Sequence, residues 1–502
     1  MPKILSSTAG VLVAAFLVRA AALVWGSDSL AEDPDSYARL AVQWSESGVF
    51  GFESADGHGV RPTAFRPPLY PWLLSFLVAD GQVGREGVAL LHLVLGLASV
   101  WLTLSIGRRL QLPCAALAAV AVALDPILLR ASQLIMTETL ATFAAVVAWR
   151  VWLGAVPQGA EDVKDCCLRE RFSVRPWLLK GLLGVILGLS ILARPTAAPW
   201  AALCLVSLAV AGAAGWKRRL AGSLIAGLGV LVCLSPWTLR NATQLGKPIW
   251  ATTHGGYTLL LANNPTLFQH FMNNGPSRAW NAEPFHAAWA ARHAHQPSEL
   301  LEADYWLNTS VDRGVVAPEP RRVADELTDD ALAYSAARAT IDRQPGLFLV
   351  GSLIRIGWLW ALWPNESAHA LQTWAIGGWY FAWFVLAVAG GWRLLPSSRW
   401  RGWLPGLLLI VSLTAIHAVF WSNMRMRSPA MPVVYLLAIR TLCNDSTGDR
   451  CGADACSGSG TPASPTFAKS RCQFTLGSVN SEVLRKWLSP IGRAFSKYKV
   501  WR

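Results

Sequence analysis

Charge is scarce in this sequence: Asp, Glu, Lys and Arg make up 15% of 502 residues, whereas 53% are hydrophobic. A chain of that length folded as several soluble domains needs a larger charged surface, so that architecture is excluded, as are disorder and a collagen-like repeat. Acidic residues are the scarcer sign, 31 against 44 basic, for a net charge of +13. No basic run is interleaved with aromatics as a nucleic-acid platform would need, so the excess reads as membrane topology. There is no convincing internal repeat, which disfavours inverted-repeat transporters. Cys451, Cys456 and Cys472 lack the paired CxxC spacing of a zinc site.

What the sequence has in quantity is long apolar stretches. They fall near 8 to 26, 86 to 106, 113 to 129, 135 to 154, 178 to 193, 196 to 214, 220 to 239, 346 to 363, 371 to 391, 403 to 421 and 429 to 442. Crossing the hydrocarbon core takes about 20 apolar residues. The expected class is therefore an all-α polytopic membrane protein with ten or eleven transmembrane or membrane-embedded helices and helices in its external loops.

Basic residues set the orientation. Arg108 and Arg109, the 155 to 178 loop and Lys217 to Arg219 alternate with loops poor in Lys and Arg. The positive-inside rule then puts 27 to 66 and 240 to 345 outside. Counting 346 to 363, with Arg355 at its middle, as a full crossing would put the basic segment 393 to 401 outside; that stretch is expected to enter the membrane only partly. Residues 1 to 442 form the membrane-embedded unit, with 27 to 66 an external catalytic loop and 240 to 345 an external cap. A basic, weakly ordered cytoplasmic tail fills 443 to 502. Neither external loop contains cysteine; Cys114, Cys204 and Cys233 are in apolar stretches, and the other six fall in cytoplasmic segments. Thiols in a reducing compartment fit that distribution.

Charge at a membrane edge is costly and points to function. Asp33 and Asp35, in EDPDSY at 32 to 37, can act as a general base, bind a divalent cation or hold an acceptor amine or hydroxyl; the plain alternative is an acidic helix start. Arg66 sits among three prolines in RPPLYP at 66 to 71, where a guanidinium suits a phosphate oxygen or a lipid headgroup. Glu138 opens a helix in MTET, and Arg194 with Pro195 ends one. In the segment from 235 to 265, Pro236, Arg240 and Asn241 mark a helix exit, and the glycines after His254 and before Tyr257 mark a turn or a ligand approach. Arg425 and Arg427 fall outside in this topology, against the charge rule, and an anionic phosphate is the natural compensation.

Taken in order, these pieces resemble the membrane-embedded glycosyltransferases of the C-type fold, in the branch of protein O-mannosyltransferases and bacterial aminoarabinose transferases acting on lipid A. The pieces are Asp33 to Tyr37, RPPLYP at 66 to 71, ThrGlu at 137 to 138, ArgPro at 194 to 195, PWxxRN at 236 to 241 followed by GGY and NNP, QPxxF at 344 to 348 and RMRSPAMP at 425 to 432. The resemblance covers about residues 8 to 440. It implies a polyprenyl-phosphate-linked hexose or pentose donor, a protein, lipid or glycan acceptor on the external side, inversion at the sugar carbon and no nucleic-acid partner. Matched residue by residue, Asp33, Arg66 and Glu138 take the places of the family's catalytic aspartate, basic residue and second acid; with the reading of the charges, Asp33, Asp35 and Glu138 are expected to be catalytic, Arg66, Arg425 and Arg427 to bind the donor phosphate, and Tyr37, Arg194, His254 and Tyr257 to bind substrate. Pro34 stands where the family has a second acid beside the first aspartate, and Phe65 where aminoarabinose transferases have a glutamate, so the metal and the sugar stay open. Short loops and the absence of a retention signal at Trp501 and Arg502 suggest a bacterial inner membrane, the site facing the periplasm or exterior. The competing class is a lipid or solute transporter, whose polar site would be near the bilayer midplane rather than at one edge.

Overall fold

The structure is a computed structural model that describes residues 7 to 54, 59 to 156, 174 to 211, 215 to 275, 280 to 308, 326 to 364, 370 to 394 and 400 to 442. The tail, the six cysteines assigned to the cytoplasm, Asp56 and most of the 155 to 178 loop lie outside the described residues.

Every apolar stretch read from the sequence is helical. In chain order the first part comprises α1 (Thr8–Trp25), α2 (Tyr37–Ser47), β1 (Gly51–Glu53), β2 (Val60–Pro62), α3 (Leu69–Ser75), β3 (Val78–Ala79), β4 (Gln82–Val83) and α4 (Arg85–Arg109). The bent pair α5 (Ala115–Leu124) and α6 (Pro126–Ser132) follows, then α7 (Glu138–Ala155), α8 (Arg175–Ala193), α9 (Ala198–Val210) and α10 (Trp216–Leu245). The cap contains α11 (Gly255–Ala262), α12 (Pro265–Asn274), α13 (Glu283–Ala291), α14 (Ala303–Asn308) and α15 (Glu326–Arg343). The last part is α16 (Pro345–Leu359), α17 (Ala370–Trp392), α18 (Trp400–Val419), a 3₁₀ segment (Met424–Ala430) and α19 (Met431–Leu442).

Among the described residues six helices are long and apolar enough to cross a membrane, or seven if α5 and α6, bent by 51°, make one broken span. The all-α expectation needs one amendment, because β1–β2 and β3–β4 are two antiparallel ribbons. Both stiffen loops rather than build a layer. In the first, a Cβ on Gly51 would stand 2.1 Å from the Arg61 carbonyl, so only glycine lets the strands approach.

Helices pack through small residues, as expected where lipid removes the hydrophobic drive for association. A Cβ on Gly184 of α8 would strike the Ala226 carbonyl of α10 at 1.9 Å, and one on Gly390 of α17 the Leu437 carbonyl of α19 at 1.9 Å. Contacts also fix which ends share a level. Arg108, ending α4, donates to Thr8 at the start of α1, and Trp152, ending α7, donates to the Arg401 carbonyl at the start of α18. The basic residues thus collect at one end of the bundle and the two large loops at the other.

α16 turns back at the loop-bearing end. Arg355 is fully buried and donates to the carbonyls of Ala262 and Ala418, which satisfies the charge that looked anomalous in an apolar stretch. Arg427 caps the carbonyls of Leu359 and Ala361, and Trp363 packs on Trp374 and Gly377 near the start of α17. One sequence reading is corrected here: Pro236, Arg240 and Asn241 do not mark a helix exit. α10 carries Pro236 inside it and runs to Leu245, ending on Gly246 at φ 73°.

Candidate functional site

Pro34 breaks the chain after α1, and Ser36 takes a left-handed φ of 61°, a strained value for a residue with a side chain. That turn sends the two aspartates in different directions. Asp33 folds under the start of α2: its Oδ2 accepts from the Arg39 N–H at 2.9 Å, and the N–H groups of Tyr37 and Ala38 also face the carboxylate. Burial nevertheless pushes its pKa up, the backbone donors offsetting this only partly. Oδ1 of Asp33 has no hydrogen-bond partner among the described residues.

Asp35 turns to Arg66 instead. The guanidinium grips it twice, Nη2 on Oδ1 at 2.8 Å and Nε on the backbone carbonyl at 3.0 Å, and packs over the rings of Phe65 at 4.7 Å and Tyr37 at 5.5 Å. The prolines around Arg66 hold this clasp in place. Asp33 and Asp35 are therefore engaged separately, with a helix start and with an arginine, and do not form a cation-binding pair. No group of three His, Cys, Asp or Glu among the described residues could hold a metal.

A second charged node faces the first. Glu138, buried at the start of α7, is ion-paired through Oε1 with two guanidiniums: Arg194 at 3.3 Å, from the end of α8, and Arg425 at 3.1 Å, from the 3₁₀ segment. Two cations on one carboxylate leave a positive excess. The remaining contacts of these arginines are poor, since Arg194 Nη2 and Arg425 Nη1 meet only the sulfurs of Met426 and Met136, weak acceptors. Among the described residues Arg194 Nη1 and Arg425 Nε meet Oε1 as ion pairs without hydrogen-bond geometry, and Glu138 Oε2 has no hydrogen-bond partner. Tyr37, its phenol pushed up to about 12 by burial, is within electrostatic reach of Arg66, Asp35, Arg194 and Glu138, which puts it between the nodes.

The structure thus brings together Asp33, Asp35, Tyr37, Arg66, Glu138, Arg194 and Arg425. His254 borders them: its ring meets Phe65 at 4.5 Å, and burial, then Arg66, lower its pKa well below the usual histidine value, leaving a neutral ring. Tyr257 lies one ring further out, still within electrostatic reach of Arg66. It stacks on the far side of His254 at 5.0 Å and packs on Trp289 and Phe285 in the core of the cap. The glycines between them serve packing, because a Cβ on Gly256 would stand 2.2 Å from the Asp330 carbonyl of α15.

Arg427 is a correction to the sequence reading. It is fully buried, with its guanidinium over Tyr380 at 4.4 Å and Phe384 at 5.0 Å and its Nη1 on the carbonyls of Leu359, which ends α16, and Ala361 just beyond it. The alternation in RMR sends Arg425 to the charged node and Arg427 into the helix core, so only the first borders the other charged groups of the site.

Sequence reasoning did not find the contacts that the framework residues make. Tyr70 of RPPLYP is buried and bonds His92 Nε2 at 2.9 Å, while His92 Nδ1 reaches the Ser132 carbonyl at 2.8 Å, tying α3 to α4 and α6. Asp125 accepts from Leu128 N–H at 2.7 Å and from the hydroxyls of Tyr380 and Tyr435, pinning the α5–α6 break to α17 and α19. Glu326 of α15 accepts from the Thr63 hydroxyl and from the Ala64 N–H at 2.8 Å, docking the cap on the segment that leads into Arg66. A histidine and an aspartate inside apolar stretches were the available signals for the first two; nothing local marks Glu326.

The family model described as dolichyl-phosphate-mannose-protein mannosyltransferase matches residues 70 to 198, about a quarter of the chain, a stretch that holds Glu138 and Arg194. This bears out the resemblance, carried by the ordered motifs, to membrane glycosyltransferases that work with polyprenyl-phosphate-linked sugars. No curated protein matches the chain. Among solved structures it is similar to the archaeal oligosaccharyltransferase AglB of Archaeoglobus fulgidus, solved with an inhibitory peptide and a dolichol-phosphate: 14% identity, 87% of this chain and 50% of that one covered, TM-score 0.47. The chain thus spans about half the length of that protein. It is also similar to ArnT of Cupriavidus metallidurans bound to undecaprenyl phosphate, at 17% identity, 85% and 77% coverage and a TM-score of 0.38. At these scores neither likeness carries the assignment.

Proposed function

We propose that the chain is a membrane glycosyltransferase that moves a sugar from a polyprenyl-phosphate-linked donor to a protein, lipid or glycan acceptor at its loop-bearing face, with inversion at the sugar carbon. The observation that carries this reading is the Glu138 node, where two guanidiniums share one carboxylate and Arg194 Nη2 and Arg425 Nη1 face thioethers. A phosphate would give those donors proper acceptors and neutralise the excess charge.

Asp33 serves as the base. Its Oδ1 takes the proton of an acceptor O–H or N–H as the acceptor heteroatom bonds to the anomeric carbon. The bond from that carbon to the phosphate oxygen breaks, and the electron pair leaves with polyprenyl phosphate, whose developing charge Arg194 and Arg425 stabilise. Arg66 holds Asp35 and the start of α2, and so fixes where Asp33 lies. The positive-inside pattern supports a loop-bearing face on the external side, which in a bacterial inner membrane is the periplasmic side. A transporter reading gains nothing from the site, whose charges gather at one end of the bundle.

Direct binding tests the donor assignment. Arg425→Ala should weaken binding of polyprenyl phosphate by about tenfold to a hundredfold, the worth of one charge-assisted hydrogen bond, and Arg425→Lys should recover only part, lacking the planar fork. Native affinity in Arg425→Ala and in Arg194→Ala would remove the phosphate from this node.

A further inference from the structure

α8 and α10 start side by side at the basic end of the bundle, and their glycines fix the register. A Cβ on Gly184 would strike the Ala226 carbonyl, one on Gly188 would stand 3.2 Å from the Val230 Cα, and one on Gly222 2.9 Å from the Lys180 Cδ. The pairs advance together, so the helices are parallel, and each residue of α8 faces the one 42 places later in α10. Carried to the first turns, that register sets Arg175 level with Lys217, and Arg218 follows, one turn before Gly222. The side chains of Arg175, Lys217 and Arg218 are exposed and form no ion pair or hydrogen bond with any described residue. Other arginines of this end are tied down, Arg219 to the Val210 carbonyl and Arg393 to that of Thr441. Among the described residues no Asp or Glu stands at this end.

Tryptophans mark the depth. Lys180 rests over Trp177 at 4.6 Å and Lys217 over Trp216 at 5.8 Å, and indoles settle at the headgroup level of a bilayer. Deeper in, both helices expose leucines: Leu182 and Leu189 on α8, Leu224 and Leu228 on α10. We propose that the joint start of α8 and α10 binds an anionic phospholipid of the cytoplasmic leaflet, its phosphate on Arg175, Lys217 and Arg218 and its acyl chains along the leucines. A zwitterionic lipid would bring its own cation to a place that already has three. A soluble anion would leave the leucines unused. Arg194 ends the same helix about 28 Å away, so this site is separate from the charged groups of the transferase reading.

The test needs no turnover. The whole chain in neutral detergent is titrated with phosphatidylglycerol or with phosphatidylcholine of the same acyl chains, and thermal unfolding is followed. Phosphatidylglycerol should raise Tm until it saturates, and phosphatidylcholine should not. Arg175→Gln with Lys217→Gln should raise the phosphatidylglycerol needed for half the shift by about tenfold to thirtyfold, since each cation near an anionic headgroup is worth about a factor of five. Arg108→Gln with Arg109→Gln removes the same charge from exposed positions of the same end, away from the α8–α10 joint, and should leave the response near native. Equal losses in the two variants would mean a diffuse surface charge and overturn the site. No shift from phosphatidylglycerol, an equal shift from phosphatidylcholine, or equal protection by glycerol phosphate without acyl chains would also overturn it.

Discussion

Replacing Glu138 by Gln keeps the side chain's shape and removes its charge, which makes it the sharpest probe of the positive node. Glu138 is 2% exposed and its Oε1 stands 3.3 Å from Arg194 and 3.1 Å from Arg425. At an effective dielectric near 20, each such attraction is worth about 4 kcal/mol before desolvation is counted. Removing one member of a buried ion pair costs about 3 to 5 kcal/mol, because the charges left behind lose compensation. The unliganded variant should therefore unfold at lower temperature. A phosphate no longer competes with a carboxylate for the two guanidiniums, so polyprenyl phosphate should bind about tenfold to a hundredfold more tightly, equivalent to about 1.4 to 2.8 kcal/mol. Thermal unfolding in detergent with and without polyprenyl phosphate reads both effects, since a ligand at a hundred times its Kd adds about 2.7 kcal/mol to the folded state. Weaker binding by Glu138→Gln would refute the reasoning; it would mean that the carboxylate orders the arginines for the ligand rather than occupying its place.

Asp33 governs the pH dependence. Its pKa lies above the usual carboxylate value and the base must be ionised, so activity should rise with pH along a limb displaced upward from that value. Asp35 is among the causes raising it, so Asp35→Asn should move the limb down, and a pH–rate profile of kcat/KM reads the shift. The folded state holds this proton more tightly than the unfolded chain does, so Asp33 contributes stability below the ordinary carboxylate pKa and loses it as pH rises through the raised value. Arg427→Ala should lower stability by about 2 to 5 kcal/mol in thermal unfolding while the folded fraction keeps its affinity for polyprenyl phosphate, because its contacts are internal. Glu326→Gln should loosen the cap and raise amide exchange in Thr63 and Ala64. A single Cys replacing Glu302 should label from outside with a membrane-impermeant reagent, and one replacing Arg218 should not; the reverse pattern would turn the chain over in the membrane.

The fold was legible because its signals are local. Apolar stretches of about 20 residues locate the helices, and the basic clusters order their ends. Most of the site could be read for a related reason: charge at the rim of an apolar stretch is expensive, so Asp33, Arg66, Glu138, Arg194 and Arg425 stand out. Which charges work together was not legible. Arg425 and Arg427 are identical in type and two residues apart, and only the 3₁₀ path of the chain sends one to Glu138 and the other over Tyr380. The β ribbons were hidden because strands of two or three residues leave no periodicity to read. Glu326 was hidden because its partners, Thr63 and Ala64, are more than 260 residues away.

The central claim is that this site breaks the bond between a sugar and polyprenyl phosphate. The direct measurement is to incubate the purified chain, in lipid vesicles, with a polyprenyl-phosphate sugar labelled in the sugar and a detergent extract of acceptors, and to follow label and lipid separately. Label should move to the acceptor fraction as free polyprenyl phosphate accumulates in equal amount, and Asp33→Asn should stop both while binding polyprenyl phosphate with native affinity. Intact donor moving across the vesicle membrane with no bond broken, or native turnover by Asp33→Asn, would contradict it.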